Sequence, residues 1–386
     1  MNQKGKKAMI YLDNAATTQP KKQVVEAMLP YLEEKYANPS SMYEPAIENQ
    51  RIIGECRQTI ARTIGAEEKE IYFTSGGSEA DNWVLKGVAH ANRERGKHII
   101  TTQIEHHAIL NACHYLEEEG FQITYLGTDQ NGQISLRELE DTIREDTILI
   151  SIMAANNEIG TLEPVREIGR IAKEHGCLFH TDAVQMYGQL PINVKFLGAD
   201  LMSASAHKFS GPRGCGFLYV REGVKICPLI HGGGQERHMR AGTENTAAIV
   251  GMAEAAKLAS QTMQYRIRRE TYHRNYLIGR VLREISGVHV TGHRKQRLPG
   301  SASFWIEGIE GESLLILLDM KGICASAGSA CTTGNTEASH VLRAIGLEEE
   351  QAKGSLRVTI NENVSIKDLD YFIEILKESI ESLRNS

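Results

Sequence analysis

The chain predicts an α/β protein, with a largely parallel sheet covered on both faces and a smaller α+β region after it. Two observations carry that prediction. Between about residues 70 and 220, short β-rich runs alternate with helical patterns, and such interleaving builds a parallel sheet between two helix layers. After Thr243, a long helical stretch leads into a second region that mixes both element types. A length of 386 residues also favours one large domain with a smaller companion.

In chain order, "EIYFTS" reads as a strand before a helix, "HIITTQIE" as a strand before the helical "AILNACHYLEEEG", and "TILISIMAA" as a strand before "PVREIGRIAKEHG". The runs "CLFHTDAVQ", "ADLMSASAHK" and "GCGFLYV" follow as further strands. The long helix "TENTAAIVGMAEAAKLASQTMQYRIRRETYHRNYLIGRVLREI" comes next. Beyond it, "SASFWIEGI" and "SLRVTI" read as strands, and "ESLLILLDMKG" and "IKDLDYFIEILKESIESL" as helices. The expected division is 1–260 for an N-terminal segment with the large domain and 261–386 for the small domain. Neither internal repeats nor low-complexity segments interrupt this pattern.

Composition fits a globular enzyme. A hydrophobic share of 41%, a charged share of 24% and a net charge of −6 argue against disorder and against direct nucleic-acid binding. The basic opening is broken by Asp13 too early for a signal peptide, and no stretch is apolar enough to span a bilayer. Seven cysteines lack the paired spacing of a disulfide framework or zinc ribbon, so the expected setting is a reducing cytoplasm.

In open α/β sheets, ligands bind beyond the carboxyl ends of the strands, and the unusual polar residues fall at those predicted ends. "SGGSE" places Gly76, Gly77 and Ser78 at a helix start, where free N–H groups and the dipole favour an anion such as phosphate. Taken alone it would serve equally as an ordinary serine cap. Asp182 follows an apolar strand, so its carboxylate needs an arginine or a protonated ring nitrogen as partner. His106 and His107 have no third ligand at zinc or iron spacing, so no metal is expected; one of them could be a core or surface histidine, or could stack on a flat cofactor. Asn156, Asn157 and Gln185 complete the set.

The fifth strand end is "SAHKFSGPRG", which confines Lys208 among small residues. Phosphate donors, a buried carboxylate, a possible stacking ring and a confined lysine are the parts needed to hold pyridoxal 5'-phosphate as a Schiff base. A free lysine amine, with a pKa of about 10.4, must be depressed by desolvation or nearby positive charge to act as a nucleophile. A second nucleophile stands in "CASAGSACTTGN", where small and polar residues around Cys331 read as a loop that gives its thiol exposure and reach. The other cysteines read as buried small hydrophobes.

The ordered series "YLDNAATT", "NPSS", "FTSGGSEADN", "EHHAIL", "MAANNEIGT", "FHTDAVQ", "SAHKFSGPRGCGFLY", "HGGGQE", "RAGTEN", "GSACTTG" and "SHVLRAIG" resembles cysteine desulfurases of the NifS/IscS class, almost end to end. The resemblance implies a fold-type I pyridoxal-phosphate transferase with a mostly parallel seven-stranded sheet and a small α+β domain carrying the cysteine loop. It implies that Lys208 bonds the cofactor, His106 stacks on its ring, Asp182 faces the ring nitrogen and Gln185 lies near the phenolic oxygen. Gly77, Ser78, Ser205 and His207 match phosphate-binding positions, and Thr243 matches a threonine that reaches the phosphate of the partner subunit in a homodimer.

Asn157 and Arg357 match positions that hold the substrate carboxylate, a role suited to the bidentate guanidinium fork. The implied reaction converts L-cysteine to L-alanine, with Lys208 moving the Cα proton and Cys331 taking the sulfur as a persulfide. The implied acceptor is an iron–sulfur scaffold or a tRNA-thiolation enzyme. Ser78 stands where threonine is commoner, Arg213 where lysine is usual, Ala338 where proline is frequent and Pro45 where glycine is common. Selenocysteine lyase shares the cofactor site, and a silent scaffold of the same fold is the alternative of another class.

Overall fold

The computed structural model describes residues 9–328 and 338–385. Its strands are β1 (Ile10–Tyr11), β2 (Ile71–Thr74), β3 (His98–Thr102), β4 (Gln122–Leu126), β5 (Thr147–Ser151), β6 (Leu178–Asp182), β7 (Leu201–Ser205), β8 (Gly216–Val220), β9 (Val288–Val290), β10 (Ser301–Ile306), β11 (Ile323–Cys324) and β12 (Ser355–Thr359). Seven of them form one sheet in the order β2-β8-β7-β6-β5-β3-β4. The strands from β4 across to β7 are parallel, and β8 runs antiparallel between β7 and β2. This is the mostly parallel seven-stranded sheet that the sequence implied.

Every residue of β3, β5, β7 and β8 is buried because helices cover both faces, which is why these runs lack polar alternation. Successive side chains still alternate between two cores. Ile99, Leu149, Leu201 and Leu218 pack with Trp83, Val84 and Ile109 of the helices Gly77–Ala91 and His107–Glu118. Ile100, Ile150, Met202 and Phe217 pack on the other side with Ile53 and Ile60 of helix Glu44–Ile64 and Ile168 of helix Val165–Glu174. Pairs such as Ile99 and Ile100 thus divide one strand between both layers.

The C-terminal region holds the antiparallel sheet β12-β10-β9 against the helices Gly311–Met320 and Ile366–Arg384. The second helix starts at a capping box, Ser365 with Asp368, and buries Leu369, Phe372, Ile373, Leu376 and Ile380, the spacing of one helical face. The N-terminal chain enters this region first: β1 pairs in parallel with β11, and Leu12 is buried in its core. Helix Thr246–Glu284 then joins the two cores. Its Ile249 and Met252 pack under the large sheet and its Leu277 and Val281 in the C-terminal core, so residues 260 and 261 lie within one continuous helix. Among the described residues, no helix is long and apolar enough to cross a membrane.

Strand β2 is an edge of the large sheet, and an edge N–H needs a partner. The Phe73 N–H donates to Glu236 Oε2 at 2.8 Å. Arg57 grips both Glu236 oxygens at 2.6 and 2.7 Å and donates to the Ile71 carbonyl at 2.8 Å. Glu236→Ala would leave the buried Arg57 charge unpaired, and urea unfolding is expected to register a loss of about 3–5 kcal/mol. A loss below about 1 kcal/mol would mean that the pair behaves as a solvated surface bridge.

Candidate active site

The strands β3, β5, β6 and β7 are parallel, so the segments that follow them converge at one end of the sheet. A cavity of about 540 Å³ lies there. Gly77, Ser78, His106, Asn157, Asp182, Gln185, Ser205, His207, Lys208 and Arg357 all line it. Thr243 is exposed and is not among the residues lining this cavity. Cys331 lies outside the described residues.

Lys208 ends the single 3₁₀ turn Ala206–Lys208 that follows β7. Its Nζ donates to the carbonyl oxygens of Ala15 at 2.5 Å and Ala16 at 3.0 Å. Gln185 Nε2 donates to the same Ala15 oxygen at 3.0 Å. The next residues lock this segment onto the lysine turn: Thr18 Oγ1 donates to the His207 carbonyl at 2.6 Å and accepts from the Ser210 N–H at 2.7 Å. Ser210 sits at φ 66°, a left-handed conformation that a serine adopts only when its surroundings impose it, and that bond helps to impose it.

Asp182, at the end of β6, is 6% exposed, and its Oδ1 accepts the Val184 N–H at 2.8 Å. Burial pushes its pKa up to about 6, against the pull of that N–H and of Lys208. Asp81 also lines the cavity, and burial, then the charge of Asp182, holds its carboxyl well above the usual range. Its Oδ1 is buried without a hydrogen-bond partner among the described residues. His180 Nε2 is 3.8 Å away, but burial lowers that ring to about 3, so it offers no cation at neutral pH. Two carboxyls in one desolvated pocket cannot both ionise cheaply, so Asp81 is the neutral member when Asp182 carries charge.

His106 caps the helix His107–Glu118, with Nδ1 accepting the Ala108 N–H at 3.1 Å. That bond leaves the proton of the neutral ring on Nε2. Burial, with Lys208 next in strength, lowers its pKa to about 4. His207 is lowered to about 4 by burial and then by Lys208, and its Nδ1 lies 3.2 Å from Thr17 Oγ1.

The helix Gly77–Ala91 starts at Gly76 without a side-chain cap, leaving backbone donors and the positive end of its dipole beside the Ser78 and Ser205 side chains. A Cβ on Gly77 would lie 2.7 Å from Val184 Cγ2, so only glycine lets this turn seat against the one that follows Asp182. Arg357, in β12, donates from Nη1 to the Asn157 carbonyl at 3.1 Å and from Nη2 to Asp13 Oδ1 at 2.9 Å. Its Nε is buried without a partner among the described residues.

These groups together suit a ligand with an anionic group, a flat ring bearing a basic nitrogen, and a carbonyl that a primary amine can attack. The sequence reading missed Asp81 and the Ala15 and Ala16 carbonyls. A backbone oxygen has no residue-type signature, and Asp81 read as part of an ordinary helix.

The class-V aminotransferase family matches residues 10–372. A protein named cysteine desulfurase IscS from Methanosarcina thermophila is 53% identical over 97% of this chain and 93% of its own. One of the same name from Dictyoglomus turgidum is 51% identical over 98% and 96%. Among solved structures, a NifS-like protein aligns with a TM-score of 0.91 at 39% identity, covering 97% of this chain and 99% of its own. A structure described as SspA in complex with cysteine aligns with a TM-score of 0.81 at 36% identity, covering 91% and 98%. With the sheet, the strand-end cavity and near full-length similarity in agreement, the chain belongs to the class-V aminotransferase family, in its NifS/IscS branch of cysteine desulfurases.

Proposed function

We propose that the protein is a pyridoxal-phosphate-dependent cysteine desulfurase that converts L-cysteine to L-alanine and retains the sulfur as a persulfide on Cys331. The observation that carries this reading is a lysine amine inside a cavity shared with a buried acid and an uncapped helix N-terminus. Asp182 would pair with the ring nitrogen, His106 would lie against the ring, and Gln185 would approach its phenolic oxygen. The backbone at Gly77 and the side chains of Ser78, Ser205 and His207 would hold the phosphate, and Lys208 Nζ would bond the aldehyde carbon. A neutral Asp81 would leave Asp182 as the anion that faces the ring nitrogen. Bound there, pyridoxal phosphate supplies an electron sink that acidifies the Cα proton of an attached amino acid.

This chain's groups do the rest. Asn157 and the Arg357 guanidinium, with its spare Nε, orient the substrate carboxylate. Lys208 Nζ, once released from the carbonyls of Ala15 and Ala16, takes the Cα proton. The Cys331 thiolate attacks the substrate sulfur: an S–S bond forms, the C–S bond breaks, and its electron pair stays on Cβ, which takes up the proton that the Cys331 thiol gave up, while Lys208 returns a proton to Cα. L-Cysteine and enzyme thiol thereby become L-alanine and enzyme persulfide, with no outside oxidant.

Thr243 would complete the phosphate site of a second copy. Its exposure and the exposed Val25, Leu29, Leu32 and Ile47 support a homodimer. The six described cysteines are free, in keeping with a cytoplasmic enzyme that hands sulfur to an iron–sulfur scaffold or a tRNA-thiolation protein.

Sulfide release from L-cysteine under excess dithiothreitol, which is oxidised as it reduces the persulfide, tests the reading. The wild type is expected to release sulfide and Cys331→Ser to lose it. Undiminished release in that variant would favour a selenocysteine-lyase chemistry that bypasses the thiol, and no release from the wild type would favour a silent scaffold.

Exchange of the L-alanine Cα hydrogen in D₂O isolates the lysine step, and Lys208→Ala is expected to slow it by about 10² to 10⁴-fold. Normal exchange would mean that another base acts. His106→Asn keeps a helix cap but removes the ring, so it should recover the roughly 1 kcal/mol that His106→Ala costs while exchange still falls by about tenfold or more. Because the His106 ring is neutral until pH falls through about 4, the Asn variant should lower the exchange profile between about pH 6 and 9 without moving its inflections. A shifted inflection would mean that His106 titrates in the working range.

A further inference from the structure

We propose that Glu158 is a positioning residue for the sulfur-transfer step, holding together the two ends of the segment that carries Cys331. The proposal rests on the function proposed above. Residues 329–337 lie outside the described chain, but the residues on either side are described, and both meet one buried carboxylate. On the far side, Ser339 Oγ donates a hydrogen bond to Glu158 Oε2, and both residues are about nine-tenths or more buried. On the near side, Gly328 packs so tightly that a Cβ there would lie 2.8 Å from the same Oε2 and 3.3 Å from the Ser339 Cβ.

Glu158 is itself fixed directly after Asn157, which lines the cavity. Its N–H donates to Asn156 Oδ1 at 2.8 Å, as does that of Ile159 at 3.0 Å. The preceding carbonyl, of Asn157, accepts from Arg357. The near end is tied to the same arginine's strand: Gly328 N–H donates to Ser355 Oγ at 3.0 Å, and Ser326 and Arg357 exchange backbone bonds at 3.2 and 2.6 Å. At the far end, His340 Nε2 lies 3.0 Å from the Glu105 carbonyl, one residue before His106. One carboxylate thus meets the described residues on both sides of the Cys331 segment, next to the groups proposed to hold the substrate carboxylate. A buried acid with no cation bonded to it among the described residues is an expensive way to join two chain ends, and burial raises its pKa to about 7 even against Ser339 and Arg357. An amide in its place could still accept from Ser339.

The test compares Glu158→Ala, Ser339→Ala and Glu158→Gln holoenzymes by sulfide release and by L-alanine Cα exchange, which does not need the thiol. Ser339 also caps a short helix, so the Glu158 variants guard against a folding effect. The two alanine variants are expected to lose about tenfold or more in kcat for sulfide release, with exchange and KM for L-cysteine within about twofold of wild type, and Glu158→Gln to keep most of the release. Parallel loss of release and exchange, or no loss of either, would overturn the proposal. Failure of the underlying reading would look different: the wild type would release no sulfide, or Cys331→Ser would release as much.

Discussion

A lysine ammonium has to be given acceptors if it is to stay inside a cavity rather than swing into water, and here the backbone supplies them. The Ala15 and Ala16 carbonyls take two of the Lys208 protons, and the Ala15 oxygen takes a proton of Gln185 as well. That requirement reaches far along the chain. Residues 15–18 are held from both sides: Thr18 bonds the lysine turn, and the chain just before them is anchored in the C-terminal region, where β1 pairs with β11 and Leu12 is buried.

Electrostatics constrain the rest. Asp81, Glu105 and Asp182 are buried near one end of the sheet, and burial raises all three. Glu105 Oε1 accepts from the Met153 N–H and Thr102 Oγ1, both at 2.9 Å, which offsets part of that cost, while its Oε2 is buried with no partner among the described residues. Asp182 has one backbone donor and Lys208 close enough to lower its pKa, while Asp81 Oδ1 has no partner. His106, His180 and His207 are held neutral by burial, so they offer these acids no positive charge at neutral pH. A protonated ring nitrogen beside Asp182 would add a cation to that of Lys208.

How much of this could be read from the chain depended on what each feature asks of residue type. The fully buried strands were legible because a sheet covered on both faces needs an apolar run at every crossing, as in β5 and β8. Strand β4 was not, because an edge strand that is partly exposed has no such requirement. The two-residue strands β1 and β11 pair across almost the whole chain and carry no local pattern. In the site, residues at strand ends with polar or reactive side chains stood out, and eight of them meet in one cavity with Gly77 and Arg357. Carbonyl acceptors left no trace, and Glu158 stayed hidden because its partners flank a segment far along the chain. Thr243 and Arg357 came from resemblance alone; Arg357 lines the cavity and Thr243 does not.

The account stands or falls on Lys208 as the amine that bonds the cofactor. Borohydride reduction of the protein purified with pyridoxal phosphate, followed by peptide mass spectrometry, would fix the cofactor to whichever nitrogen holds it. The account predicts a phosphopyridoxyl group on Lys208 Nζ. A modification on another lysine, or none above the level of surface labelling, would contradict it.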